Sequence, residues 1–154
     1  MAVLSANSTQ ALEHRGDPRI REFVCYGTSD IFYRGALCFW NATAGITPIP
    51  AAGLEFAGIC VEPSNGATVL DVTRIKIATA GEWLLLYSGT PAATDVGTLL
   101  SVDVSAASDN PADLLLHSAG ATGDFSIGVI TEFVSAARGA WVNIERYTLA
   151  TVHA

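Results

Sequence analysis

The sequence predicts an all-β protein: a small barrel or sandwich with an extended N-terminal arm and at most one short helix. Short runs rich in Val, Ile and aromatic residues recur between Gly, Pro, Asn and Asp punctuation. Two runs alternate strictly between polar and apolar residues, Arg74-Ile75-Lys76-Ile77 and Ala140-Trp141-Val142-Asn143-Ile144-Glu145. Helical periodicity is nearly absent. With 154 residues, 50% of them hydrophobic and 15% charged, the chain can bury a core of its own, and its composition is the reverse of a disordered one. No apolar run approaches the ~18–20 residues of a bilayer crossing, so no membrane partner is expected.

Residues 1–22 read as the arm. They are rich in charge, lack sustained periodicity and contain the turn signal Gly16-Asp17-Pro18. A short helix over 8–15 with Ser8 as N-cap is compatible with this stretch, and so is a frayed terminus. The domain proper, 23–154, opens with a concentration of aromatic residues: Phe23, Tyr26, Phe32, Tyr33, Phe39 and Trp40. These suit a core layer or a contact surface. Strands are expected over 35–41, 55–62, 73–79, 82–88, 99–104, 114–117, 125–133 and 140–147. Only Ala80-Gly81 separates two of them, which predicts a tight hairpin, and Asn65-Gly66 is a second turn signal. The one helical stretch is 92–100, with Thr94 as N-cap, Asp95 in its first turn and Gly97 weakening it. Seventy residues apart, Phe56-Ala57-Gly58-Ile59-Cys60-Val61-Glu62 and Ser126-Ile127-Gly128-Val129-Ile130-Thr131-Glu132 share a Gly, a following β-branched residue and a closing Glu. A glycine entering a strand marks a bulge, a barrel bend or a close backbone approach. The echo fits either chance or two equivalent corners of a closed barrel.

Eight Lys+Arg against fifteen Asp+Glu give a net charge of −7. The basic residues are scattered, so nucleic acid is not an expected partner. Residues 1–34 are balanced, with Arg15, Arg19, Arg21 and Arg34 against Glu13, Asp17, Glu22 and Asp30, so the negative charge belongs to the rest. Cys25, Cys38 and Cys60 sit among apolar neighbours without C-x-x-C spacing, which reads as buried free thiols made in a reducing cytoplasm. The N-terminus lacks the basic and apolar regions of a secretory signal.

Chemistry-bearing patterns are sparse. His14, His117 and His153 lie far apart without metal-ligand spacing. Asp103, Asp109, Asp113 and Asp124 fall in or near a turn-rich stretch, where Asp bonds to its own backbone. Phosphate-cradling glycine loops and a nucleophile elbow are missing. The expectation is a protein that is not an enzyme and takes no cofactor and no metal. An enzyme would require His117 to gather with two or more acids.

Several segments resemble the decoration, or cement, proteins of tailed-bacteriophage capsids. They are Tyr33-Arg34-Gly35-Ala36-Leu37, Phe56-Ala57-Gly58-Ile59-Cys60-Val61-Glu62, Ile75 to Trp83 with its Ala80-Gly81 turn, Asp95-Val96-Gly97-Thr98-Leu99-Leu100, and Ile127-Gly128-Val129-Ile130 followed by Ala140-Trp141-Val142-Asn143-Ile144. The resemblance covers about residues 33–146. It implies a β-barrel-like or β-tulip subunit, commonly a homotrimer. Such a subunit is made in the host cytoplasm and sits on the virion exterior, where it bridges neighbouring copies of the major capsid protein. The longer Arg-bearing N-terminus and the loop 105–111 depart from the family pattern. In that setting the arm's Arg15, Arg19 and Arg21 are the expected capsid or subunit contacts, because Arg bonds carboxylates bidentately. A different virion or surface β-module, a tail or fibre component or a carbohydrate-binding domain, would instead use exposed Trp40, Trp83 or Trp141 as a platform.

Overall fold

The computed structural model describes residues 13–25, 32, 34–41, 45–48, 54–61, 74–87, 89–102, 114–116, 125–145 and 147–148. Among them the chain is all-β. Eleven strands follow in order: β1 His14–Arg15, β2 Ile20–Val24, β3 Leu37–Asn41, β4 Gly45–Thr47, β5 Glu55–Cys60, β6 Arg74–Ala78, β7 Glu82–Leu85, β8 Leu99–Val102, β9 Leu114–Leu116, β10 Phe125–Ser135 and β11 Gly139–Asn143. Each expected strand is present, and β1, β2 and β4 are additional. The strands form two antiparallel sheets, one in the order β1-β7-β11-β10-β8-β9 and the other β2-β6-β5-β3-β4.

Neither sheet is the closed barrel that the sequence suggested. The five-stranded sheet curls until its two edges meet, but they join through one parallel bridge, Cys25 with Ile46. Closure requires a continuous, staggered ladder between first and last strands. Here β2 pairs along its whole length with β6, and β4 is only three residues long. The apolar residues accordingly divide between two cores rather than filling one lumen. Inside the curl lie Cys25, Phe32, Cys38, Ile46, Cys60, Ile75 and Ile77. The outer face of the same sheet presents Phe39, Phe56, Ile59 and Ala78 to the six-stranded sheet, which meets them with Trp83, Leu85, Leu100, Ile130 and Val142. Strand β5 is therefore buried on both faces, which explains why its run Phe-Ala-Gly-Ile-Cys is continuously apolar.

The turn at Ala80-Gly81 is present, with Gly81 at φ +91°, but it is not a hairpin. Strands β6 and β7 belong to different sheets, and the turn carries the chain from one to the other. The N-terminal segment makes the same crossing alongside it. His14 and Arg15 pair with Trp83 and Glu82, and Ile20 to Val24 pair with Ala78 to Arg74. At the corner the Thr79 and Ala80 amides donate to the Pro18 carbonyl at 3.0 and 3.1 Å, and the Ile144 amide donates to that of Gly81. A local turn signal cannot reveal this, because the partner strand arrives from more than fifty residues away.

The helix expected over 92–100 reduces to one 3-10 turn, Ala93–Asp95. Thr94 lies inside it rather than capping it. The Asp95 carboxylate instead accepts from the Ala92 amide at 2.9 Å and the Tyr87 hydroxyl at 2.7 Å. The helix stops because Gly97 and Thr98 already bond to Ile130, from the Gly97 amide at 2.8 Å and to the Thr98 carbonyl at 3.0 Å. Of the expected helix over 8–15, His14 and Arg15 are extended strand, and residues 8–12 lie outside the described residues.

The two echoing segments are the same structural device. On β5, Cys38 faces Gly58 and Phe39 faces Phe56, which leaves Ala57 as an extra residue. On β10, Leu100 faces Gly128 and Ser101 faces Ser126, which leaves Ile127 extra. In both, a β-bulge residue immediately precedes the glycine. They occupy the middle strands of separate sheets, not two corners of one barrel.

Candidate functional site

A group of charged side chains gathers where the N-terminal segment lies against the six-stranded sheet. Alternation along β7 and β11 points Trp83, Leu85, Ala140 and Val142 into the core, so Glu82, Leu84 and Trp141 face the other way. Arg15, held in register opposite Glu82, sends its guanidinium over that outward face. It pairs with Glu82, bonds Glu132 at 2.8 Å and lies 4.6 Å from the centre of the Trp141 ring. Thr131 is the extra residue of a bulge between β10 and β11, and its hydroxyl donates to Glu82 at 2.6 Å. Beyond these, Arg19 pairs with Glu145 at 3.0 Å and Arg138 with Glu13, while the His14 ring stacks on Trp83 at 4.9 Å.

This arrangement is an electrostatic clasp. Partial burial works to raise the Glu82 carboxyl, but the Thr131 hydroxyl and the Arg15 guanidinium outweigh it, so Glu82 titrates below the ordinary carboxylate range. A depressed folded-state pKa adds stability that is present above the unfolded value of about 4.5 and is lost as pH falls through the folded one. Glu82→Gln is therefore expected to lower the urea midpoint at neutral pH, with the gap from the parent closing as pH falls through the folded-state titration, below the ordinary value of about 4.5. A gap that persists unchanged into acid would show that the carboxylate charge is not what matters.

The three arginines singled out in the sequence have different environments. Arg15 and Arg19 are engaged by the chain's own acids. Arg21 is exposed on β2 and has no ion-pair partner among the described residues. Their acidic partners Glu82, Glu132 and Glu145 were missed by sequence reasoning. The signal for them was present, since a charge-balanced segment and an acidic remainder are complementary.

The tryptophans share no common face. Trp83 is buried, and its indole N–H donates to the Ala80 carbonyl at 3.0 Å. Trp141 lies on the opposite side of that sheet beneath Arg15, and Trp40 packs with Phe23 against the inner core of the five-stranded sheet. Only Trp40 and Trp141 retain exposed surface. His117, His153, Asp103, Asp109, Asp113 and Asp124 lie outside the described residues. The three cysteines come from three strand ends or strands and meet in one core as free thiols. Burial pushes the Cys38 thiol well up, and its bond to the Cys60 thiol adds to that, so Cys38 is a poor nucleophile. Among the described residues, no three His, Cys, Asp or Glu side chains are placed to hold a metal ion. No described helix is long and apolar enough to cross a membrane. The chain matches no protein-family model, no curated protein and no solved structure.

Proposed function

We propose that the protein is a structural virion component: a decoration protein that binds the outer surface of a phage capsid and bridges neighbouring major capsid protein subunits. One observation carries this reading. The segments that resemble the cement proteins fall in chain order on the elements that build both sheets: the start of β3, the bulged β5, the β6–β7 crossing, the start of β8, and the β10–β11 pair. The all-β class that these segments build is the class the resemblance implies.

Arg21 is the arginine left for an outside carboxylate. Removing residues 1–22 is a poor probe, because it takes away β1 and most of β2 with any contact they make. The point variant Arg21→Ala is expected to leave stability within about 0.5 kcal/mol of the parent, as an exposed substitution does. Co-sedimentation with expanded tailed-phage capsids from the source of this chain measures the rest. The parent should saturate the capsids and raise the temperature at which they rupture, and Arg21→Ala should reduce occupancy several-fold. Absence of the parent from the capsid pellet would rule out the decoration role.

A further inference from the structure

Taken in chain order from β2 to β6, the strands of the five-stranded sheet stand side by side as first, fifth, fourth, second and third. Taken from β7 to β11, the strands of the other sheet stand in the same order, with β1 added outside β7. The registers agree as well as the order. Ile20 opposite Ala78 and Phe23 opposite Ile75 correspond to Glu82 opposite Asn143 and Leu85 opposite Ala140. Ile59 opposite Ala78 and Cys60 opposite Ile77 correspond to Val129 opposite Asn143 and Ile130 opposite Val142. Leu37, Cys38 and Phe39 face Ile59, Gly58 and Phe56 as Leu99, Leu100 and Ser101 face Val129, Gly128 and Ser126, with the bulge at the same step. A matching pair of hydrogen bonds ties the loop before each second strand. Gly35 N–H donates to the Cys60 carbonyl and Cys60 N–H to that of Ala36, just as Gly97 N–H donates to Ile130 and Ile130 N–H to Thr98.

Strand order alone recurs among unrelated sheets. Agreement across every shared pairing, including an irregularity, is far more restrictive, because a slip of one residue would invert the faces throughout. We infer that the chain is a tandem duplication: one five-stranded unit over residues 20–78, repeated over 82–143, with β1 as an addition to the second copy.

The duplication identifies an interaction surface within the unit and its partner. Cys38, Cys60, Ile75 and Ile77 of the first copy correspond to Leu100, Ile130, Ala140 and Val142 of the second, and both sets form the inner face. In the first copy that face is filled by the sheet's own curl. In the second it is filled by the outer face of the first copy, through Phe39, Phe56, Ile59 and Ala78. The inner face is thus built to receive a sheet, and its partner here is a second copy of the unit. Such a heterologous contact could repeat indefinitely. On the second copy's outer face Phe39, Phe56 and Ala78 are replaced by the polar Ser101, Ser126 and Asn143, while Ile59 keeps an apolar counterpart in Val129.

Equivalent registers make the connections between equivalent strands exchangeable. In the full chain, residues 61–73 are replaced by the sequence of residues 131–138, with Arg74→Gly to match Gly139, so that β5 and β6 are joined as β10 and β11 are. A control graft is one residue shorter. The matched graft is expected to unfold cooperatively within a few degrees of the parent and to keep Cys25, Cys38 and Cys60 protected from alkylation. The shorter graft should expose them. A matched graft with reactive thiols, or equal protection in both grafts, would overturn the duplication.

Discussion

Gly58→Ala is expected to destabilise the protein by at least ~3 kcal/mol, more than any exposed substitution would. Two effects coincide at this bulge. The backbone sits at φ +149°, which an L side chain rarely adopts, and a methyl group there would fall on the Ala78 carbonyl, with the carbonyl carbon at 3.0 Å. Ala78 is fully buried between the sheets. Its carbonyl cannot yield without parting the strand beside β5 and exposing both cores at once. Gly89→Ala is the natural control. Gly89 has a comparable strain at φ +89° but nothing within 4 Å of the added carbon, so only the backbone cost of ~1–3 kcal/mol applies. Denaturant melts of the two variants separate strain from collision. Equal losses would mean that β5 and β6 have room that the packing does not suggest.

Trp83→Ala should cost ~3–5 kcal/mol, the range for truncating a fully buried aromatic side chain. Trp83 is among the largest buried side chains, at 1% exposure. Its ring fills the space between the sheets, supports the His14 ring, and anchors the crossing through the Ala80 carbonyl. The loss therefore has a volume component and a corner component. Trp83→Phe keeps most of the volume but leaves the buried Ala80 carbonyl short of a donor, so an intermediate loss of ~1–3 kcal/mol is expected. Chemical denaturation followed by circular dichroism measures both. If Trp83→Phe matched Trp83→Ala, the hydrogen bond rather than the ring would dominate the site.

Fold class was legible because alternation and β-branched runs are local properties. Arg74-Ile75-Lys76-Ile77 states its buried face without reference to a partner. Sheet membership was not legible. Ala80-Gly81 has the length and composition of a hairpin turn, and nothing within that window reports that Pro18 and Ile144 reach its backbone from both ends of the chain. The short strands of the N-terminal segment were hidden for a related reason. Ile20-Arg21-Glu22 is exposed on every residue, so it carries no burial pattern, and it is a strand because of the ladder that β6 offers. The acidic partners of Arg15 and Arg19 were readable only as a charge imbalance between segments, since complementary charge does not specify position. The echo around Gly58 and Gly128 was the one long-range feature that a short window disclosed, because each of these two bulges is followed at once by a glycine.

The doubled crossing between the sheets also has a consequence in time. Residues 13–24 leave the ribosome well before their ladder partners, residues 74–84. At about 5–20 residues per second, this portion of the nascent chain waits several seconds for a strand to pair with. Throughout that interval it is an unpaired strand in a crowded cell, the state in which edges recruit one another. Charged side chains on an unpaired strand disfavour such pairing, and this segment carries Glu13, Arg15, Asp17, Arg19, Arg21 and Glu22. The charges that deprive this segment of a burial pattern thus protect it during synthesis, until β6 and β7 emerge to receive it.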